Sequence, residues 1–393
     1  MKIVVVEPDG AGGLIHYAYQ LCDALSAAGA DVTLITSRHY ELAHLPHRFA
    51  VEPTMWLWPA IEPVRPGRWG RLWRAMRRPW RGVRYALAWR HAIGRVVELQ
   101  PDIAQFATIR FPFQVWGLRR LRHAGIAVTQ ICHEFEPREW RGLGRRIRTT
   151  TGAVYRQFSA IFLHGESNRR SFDTAFDVDP GVTHVIPHGD ESLLVRLSDG
   201  GTDARERYGI PGDRPIVLFF GGLRPSKGLE DLLEATALAS READLHLVIA
   251  GHPAGVDPSN LHAETTRLGI EDRTVIDARY IPFDEIGALL RAASVVALPY
   301  RSGTASGVLQ VAYAFGRPVV VTDVGALADT VVPGATGLVV PPDDPPALAR
   351  ALVKMTTDEA EAERMGAHAL DHGRSFGWGP IATSILDVYE ELA

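Results

Sequence analysis

Short runs of apolar and β-branched residues recur along the chain, separated by stretches in which apolar residues return every three or four positions. The first series is Ile3–Val6, Val32–Thr36, Ile103–Phe106, Ala127–Cys132, Ala160–His164 and Val182–Ile186. The second is Pro215–Phe220, Leu245–Ala250, Val275–Ile276, Val295–Leu298, Val319–Thr322 and Leu338–Val340. Alternation of this kind predicts an α/β protein with parallel sheets and helices on both faces. KIVVVEPDGAGGLIHYAYQLCDAL and PIVLFFGGLRPSKGLEDLLEATAL each read as a buried strand, a glycine-rich turn and an amphipathic helix. Their starts, Lys2 and Pro215, lie about 213 residues apart. The repeat predicts two similar doubly wound, Rossmann-like domains rather than one large sheet.

The polar stretch Ser198–Asp203 carries two glycines and is suited to a linker. The expected organisation is an N-terminal domain over 1–190, a linker over 191–213 and a C-terminal domain over 214–372. The tail is expected to hold an acidic helix, Asp358–Leu370, then a break marked by Gly373, Gly377 and Gly379. A last helix near Ile381–Leu392 follows, so that 373–393 is placed to cross back to the N-terminal domain. A length of 393 residues suits two cores.

Composition narrows the function classes. The net charge of −4 and the pI near 6.4 argue against nucleic acid as the main partner. Cys22 and Cys132 lie in apolar patterns and give no disulfide framework, so a reducing, cytoplasmic setting is expected. Met1-Lys2 leads straight into a strand, and no apolar run reaches about 18 residues, so neither a secretory leader nor a membrane span is expected. No zinc spacing, Walker-type loop or nucleophile elbow is found, and no metal site is expected.

The most informative stretch is LPYRSGTASGVLQVAYAFGRPVVVTDVGALADTVVPGATG, Leu298–Gly337. Ser302, Gly303, Thr304, Ser306 and Gly307 are small residues before a helix predicted over Val308–Phe315, and Pro318 opens a buried strand. Free amides at a helix start form an anion site. The turn Gly221-Gly222-Leu223-Arg224-Pro225-Ser226-Lys227-Gly228 precedes the helix Leu229–Leu238 and brings two cations three residues apart beside exposed amides. Arginine binds a diphosphate bidentately and lysine adds a point charge, although solvated loop cations would show the same pattern. Both loops fall at the carboxyl ends of strands of one sheet, where such folds bind ligands.

The blocks GGLRPSKGLEDLLEA, LVIAGHP, RYIPFDEIGALLRAASVVALPY, SGVLQVAYAFGRPVVVT and GATGLVV resemble the donor half of the family-4 retaining glycosyltransferases. The first half is similar at Gly12-Gly13, at His133-Glu134 after a strand, at Ser167 at a helix start and in IPHG at 186–189. The resemblance implies the GT-B fold, two Rossmann-like domains facing an interdomain cleft. It further implies retaining transfer of a sugar from a nucleotide-diphosphate donor to a glycan, lipid-linked or small-molecule hydroxyl, without a metal or bound cofactor. On this likeness Arg224 and Lys227 hold the diphosphate, and the amides of Ser306, Gly307 and Val308 complete the site. Gly13 lies near the reacting sugar beside Gly12, Tyr280 and Ile281 form the nucleobase wall, and Gly251 lets the chain turn beneath the nucleoside. The family's paired glutamates are Gly303 and Val311 here, which leaves donor choice open. Its usual arginine is Gly222, so Arg224 is the substitute. A nucleotide-sugar epimerase or hydrolase, and a non-catalytic nucleotide-binding partner subunit, are the competing readings.

His133 is placed by the likeness to hydrogen-bond the donor sugar or move a proton. Glu134 and Glu136 are further candidates, His188 is expected to shape the turn between domains, and His16 either faces the acceptor or lies on a helix surface. A separate feature is the run from Val64 to Val97, which contains no Asp or Glu. It holds Arg65, Arg68, Arg71, Arg74, Arg77, Arg78, Arg81, Arg84, Arg90 and Arg95, with Trp69, Trp73, Trp80, Tyr85 and Trp89 interleaved. Pro79 and Gly82 are expected to split it into two helical pieces of a basic aromatic insertion over about 55–97. Such a mixture suits an anionic membrane surface at the inner face of the membrane. Packing of the aromatic rings onto the first domain, with solvated arginines, accounts for it equally well.

Overall fold

The computed structural model describes residues 1–58, 67–135, 145–198, 202–212 and 214–393, with side chains described outside 67–79 and 145–149. Arg65, Glu136, the linker positions 199–201 and the side chains of Arg68, Trp69, Arg71, Trp73, Arg74, Arg77 and Arg78 lie outside the described residues. The chain divides into two compact units, Met1–Pro187 with Trp378–Ala393, and His188–Gly377.

Among the described residues the first unit holds seven strands: β1 (Lys2–Glu7), β2 (Asp31–Ser37), β3 (Ala50–Met55), β4 (Ile103–Phe106), β5 (Ala127–Cys132), β6 (Ala160–His164) and β7 (Thr183–Ile186). All pair in parallel in the order β3-β2-β1-β4-β5-β6-β7. The second unit holds β8 (Ile216–Phe220), β9 (His246–Ala250), β10 (Thr274–Asp277), β11 (Val295–Leu298), β12 (Val319–Thr322) and β13 (Gly337–Val340). Its order is β10-β9-β8-β11-β12-β13, again parallel. The two sheets share one winding, so the repeat in sequence is a repeat in topology. In each, the strand order reverses beside the first strand, at β1/β4 and at β8/β11, where open α/β sheets leave a crevice for ligands. The central strands are buried on both faces, which is why they read as unbroken apolar runs.

β3 went unpredicted. Its sequence, AVEPTM, is mostly half-buried, with Met55 in the core, and carries Pro53, which a sheet tolerates at an edge, where β3 lies. The acidic helix runs Glu359–Arg374, through Gly373. That glycine is a packing feature rather than a break, since a Cβ there would lie 3.1 Å from Cβ of Tyr313. Gly379 likewise falls inside the last helix, Trp378–Leu392, which packs on the first helix, Gly13–Ala27. Pro79 and Gly82 do not split the basic segment either, because one helix runs Gly67–Leu99. Its second half is anchored by a stripe at helical spacing, Tyr85, Ala88, Trp89, Ala92, Ile93 and Val96, all buried. Tertiary packing of that stripe offsets the local cost of proline and glycine.

Candidate active site

In the second unit, the chain leaves β8 at Gly221 with φ of 118°, a conformation open to glycine. The Leu223 amide donates to the His252 carbonyl at 2.9 Å, which ties this loop to the one after β9. The turn Pro225–Lys227 then leads into the helix Leu229–Ala239. After β11, Tyr300 is buried and the helix begins at Gly307, ending at Ala314. The two loops are stitched together. The Arg301 amide donates to the Ser226 carbonyl at 2.9 Å, Nζ of Lys227 lies 3.3 Å from the centroid of the Tyr300 ring, and the Tyr300 hydroxyl pairs with Oγ of Ser306 at 2.9 Å. Burial pushes the Tyr300 phenol up to about 12, so it stays protonated. A third loop supports the arrangement from behind: Thr322 Oγ1 donates to the Tyr300 carbonyl at 2.5 Å, and the Ala326 amide to the Thr304 carbonyl at 2.7 Å.

This construction brings Arg224, Lys227, Ser306, Gly307 and Val308 to the β8/β11 crevice. A Cβ added at Gly221 would meet Cγ2 of Val308 at 3.2 Å, so the helix start lies directly over the glycine turn. Arg224 makes no ion pair among the described residues, and its charge is felt both at Tyr300 and at His252, whose imidazole is held below its usual range by burial first and Arg224 second. Two cations and a helix start thus converge with little internal compensation for Arg224, which suits an anion.

The packing bears on several of the expected positions. Gly251 is required by the protein itself: a Cβ there would lie 1.8 Å from the Gly221 carbonyl oxygen, at φ of 154°. Ile281 is buried in the core, so its side chain is no wall for a base, and only Tyr280 of that pair is partly exposed. Val311, at one glutamate position, is also core, whereas Gly303 lies in the loop. His188 lies beside the start of the helix that begins at Gly307, since a Cβ at Gly307 would lie 3.4 Å from its Cε1 and 4.0 Å from Oε1 of Glu191. Burial pushes the His188 imidazole down to about 4, so it is neutral. Glu191 and His252 were not singled out in the sequence.

In the first unit, Gly12 has φ of 91° and caps the helix Gly13–Ala27 without a side-chain bond. Oε1 of Glu41 accepts from the Gly12 amide at 2.7 Å and pairs with Nε2 of His16 at 2.5 Å. His16 is therefore a buried clamp on the glycine loop, not a surface residue. A Cβ at Gly13 would meet no heavy atom within 4 Å, so the protein leaves open space there. His133 follows β5, and its Nδ1 lies 3.2 Å from Nε2 of His164, at the end of β6. The Tyr17 ring meets His133 edge-on at 4.5 Å and Trp378 at 4.8 Å. His164 was readable in principle, because Cys132 pairs with Leu163 in parallel register and the next residue on each strand is a histidine. Cys22 and Cys132 are free and buried, as their apolar context predicted.

The profile described as Glycosyl transferases group 1 matches residues 214–358, and that described as Glycosyltransferase Family 4 matches 11–189. The chain belongs to glycosyltransferase family 4. This family-4 chain is 35% identical over 224 residues to the D-inositol 3-phosphate glycosyltransferase of Corynebacterium glutamicum, covering 55% of this chain and 53% of the relative. To the enzyme of that name from Streptomyces bingchenggensis it is 34% identical over 227 residues, 55% and 49% of the two chains. It thus spans about half the length of the curated relatives it matches. Among solved structures, sucrose-phosphate synthase from Thermosynechococcus elongatus superposes with a TM-score of 0.74 at 21% identity, over 100% of this chain and 99% of that one. HepE of Anabaena, solved with UDP, superposes with a TM-score of 0.73 at 19% identity, over 100% of both chains. Two parallel doubly wound sheets with alternating helices are the GT-B architecture of these neighbours.

Proposed function

We propose that this protein transfers a sugar from a nucleotide-diphosphate donor to a hydroxyl of a glycan, a lipid-linked glycan or a small molecule, with retention at the anomeric carbon. The bond from the anomeric carbon to the diphosphate breaks, a bond to the acceptor oxygen forms, and the proton of the acceptor hydroxyl passes to the departing diphosphate. The observation that carries this reading is the convergence of Arg224, Lys227 and the Ser306–Val308 helix start at the β8/β11 crevice. These groups stabilise the departing diphosphate charge, a task served by a metal in other enzymes, so no metal is called for. HepE, of the same fold, was solved with UDP-glucose.

Tyr280, three residues beyond β10, is assigned to the nucleobase; β10 lies two strands from β8, and two strand spacings of about 10 Å support that assignment. Gly12 and Gly13 leave space for the donor sugar, and His133, steadied by His164 and Tyr17, is assigned to its hydroxyls or to proton movement. Synthesis of a polysaccharide on a lipid carrier, with the protein held peripherally at the cytoplasmic face of an anionic membrane, belongs to the same reading. No described helix is long and apolar enough to cross a membrane.

The test is proton NMR of the product formed from an α-configured nucleotide sugar. The α anomer is expected, and a β product contradicts retention. Donor consumed without any acceptor favours an epimerase or hydrolase, and donor bound without turnover favours a binding subunit.

A further inference from the structure

The helix Gly67–Leu99 has two apolar faces beyond Trp80, and only one is covered. Tyr85, Ala88, Trp89, Ala92, Ile93 and Val96 are buried on the first unit. Trp80, Val83 and Leu87 repeat at intervals of three and four residues on the opposite side and are 69%, 53% and 63% exposed. Trp116, on the neighbouring helix Gln114–His123, is 70% exposed. The two helices touch closely, for a Cβ at Gly117 would lie 2.7 Å from Nε1 of Trp89. Trp116 stands one helical turn before Arg120, which lines the same cavity as Leu87, and large exposed apolar side chains around one such groove mark an interaction surface.

The charges around this face say what covers it. Arg81, Arg84 and Arg90 are exposed along the helix, and no acidic residue occurs from Val64 to Val97. Leu87, Arg90, His91, Gly94 and Arg120 line a cavity of about 410 Å³ together with Arg95 and Glu98. Arg95 is committed to Glu52 at 2.7 Å and to Glu98 at 3.0 Å. Arg90 and Arg120 make no ion pair among the described residues, so the cavity mouth keeps uncompensated positive charge. Arg84 stacks over Trp58 at 5.0 Å. Indoles and long cationic stems around a short apolar stripe match a headgroup boundary, where the rings enter the acyl edge and the guanidinium groups meet lipid phosphate.

We infer that Trp80, Val83, Leu87 and Trp116 insert into an anionic lipid bilayer, with Arg90 and Arg120 binding its headgroups. The inference deepens the peripheral attachment proposed above and names its surface. Because attachment through this face involves neither the glycine loop nor the diphosphate loops, nucleotide binding serves as an independent control.

The test is flotation of the full chain with vesicles of phosphatidylcholine alone or mixed with phosphatidylglycerol, for wild type, the double variant Trp80→Ser/Leu87→Ser and the double variant Arg90→Ala/Arg120→Ala. Wild type is expected to float with the mixed vesicles only, and each double variant to partition roughly ten-fold less. Unchanged thermal melting and nucleotide binding in the variants show that the loss is not unfolding. Wild-type flotation that both variants retain overturns this surface while leaving peripheral attachment standing. Wild type that stays with neither vesicle overturns both, as does retention on a single-stranded oligonucleotide in place of the vesicles.

Discussion

The ammonium nitrogen of Lys227 lies 3.3 Å from the centroid of the Tyr300 ring, whose hydroxyl meets Oγ of Ser306 at 2.9 Å. One buried aromatic ring therefore sets both the cation of the first loop and the last residue before the helix of the second. Tyr300→Phe keeps the ring face beneath Lys227 and removes the hydroxyl contact, which is expected to cost about 1 kcal/mol of stability with donor affinity nearly unchanged. Tyr300→Leu removes the ring and is expected to weaken donor binding by roughly 0.5–2 kcal/mol. Calorimetry with a nucleoside diphosphate, paired with denaturant melts, separates the two effects. Equal donor affinity in Tyr300→Leu and wild type would contradict a positioning role for the ring.

The glycines divide by what crowds them. Gly251→Ala drives a Cβ toward the Gly221 carbonyl, 1.8 Å away, and is expected to destabilise the second unit by on the order of 3 kcal/mol. Gly13→Ala meets no protein atom within 4 Å, so its melting temperature should match wild type while turnover falls. A Gly13→Ala protein that turns over normally would remove Gly13 from the reacting-sugar site.

Two desolvated groups, Glu7 fully buried and His188 half-buried, give the fold opposite responses to pH. His188 is pushed down from 6.5 to about 4 by burial, so between those values the unfolded chain binds more protons and acid destabilises the native state. Glu7 is raised from 4.5 to about 8, first by burial and then by Asp9, while the Asp9 amide and Arg110 oppose the shift. Its contribution is full below pH 4.5 and is lost as pH rises through 8. Glu7→Gln is therefore expected to gain stability relative to wild type on the alkaline side, and His188→Gln on the acid side. Denaturant midpoints across pH check both, and parallel pH curves for wild type and variant would refute either assignment.

Much of this was legible in the chain. The paired strand-turn-helix openings announced two sheets of the same winding, because central parallel strands are buried on both faces and read as continuous apolar runs. The two loops that meet beside β8 and β11 were legible because glycines and small residues cluster where the chain leaves a parallel strand and turns into a helix. What escaped depends on distant packing. Glu41 grips Gly12 from 29 positions away, Glu191 reaches Gly307 across the second unit, and Gly251 is held to glycine by the Gly221 carbonyl. β3 escaped because a half-buried edge strand needs no apolar run, and the long basic helix survived its proline because the half beyond it is packed.

The most direct measurement is calorimetry of the wild type, Arg224→Ala and Lys227→Ala against UDP, GDP, ADP, dTDP and their common sugars. One nucleotide series should bind, and each substitution should weaken it by roughly 1.5–3 kcal/mol, a tenfold to hundredfold rise in Kd. A nucleotide that binds both variants as tightly as wild type would contradict the assignment of Arg224 and Lys227 to the donor diphosphate.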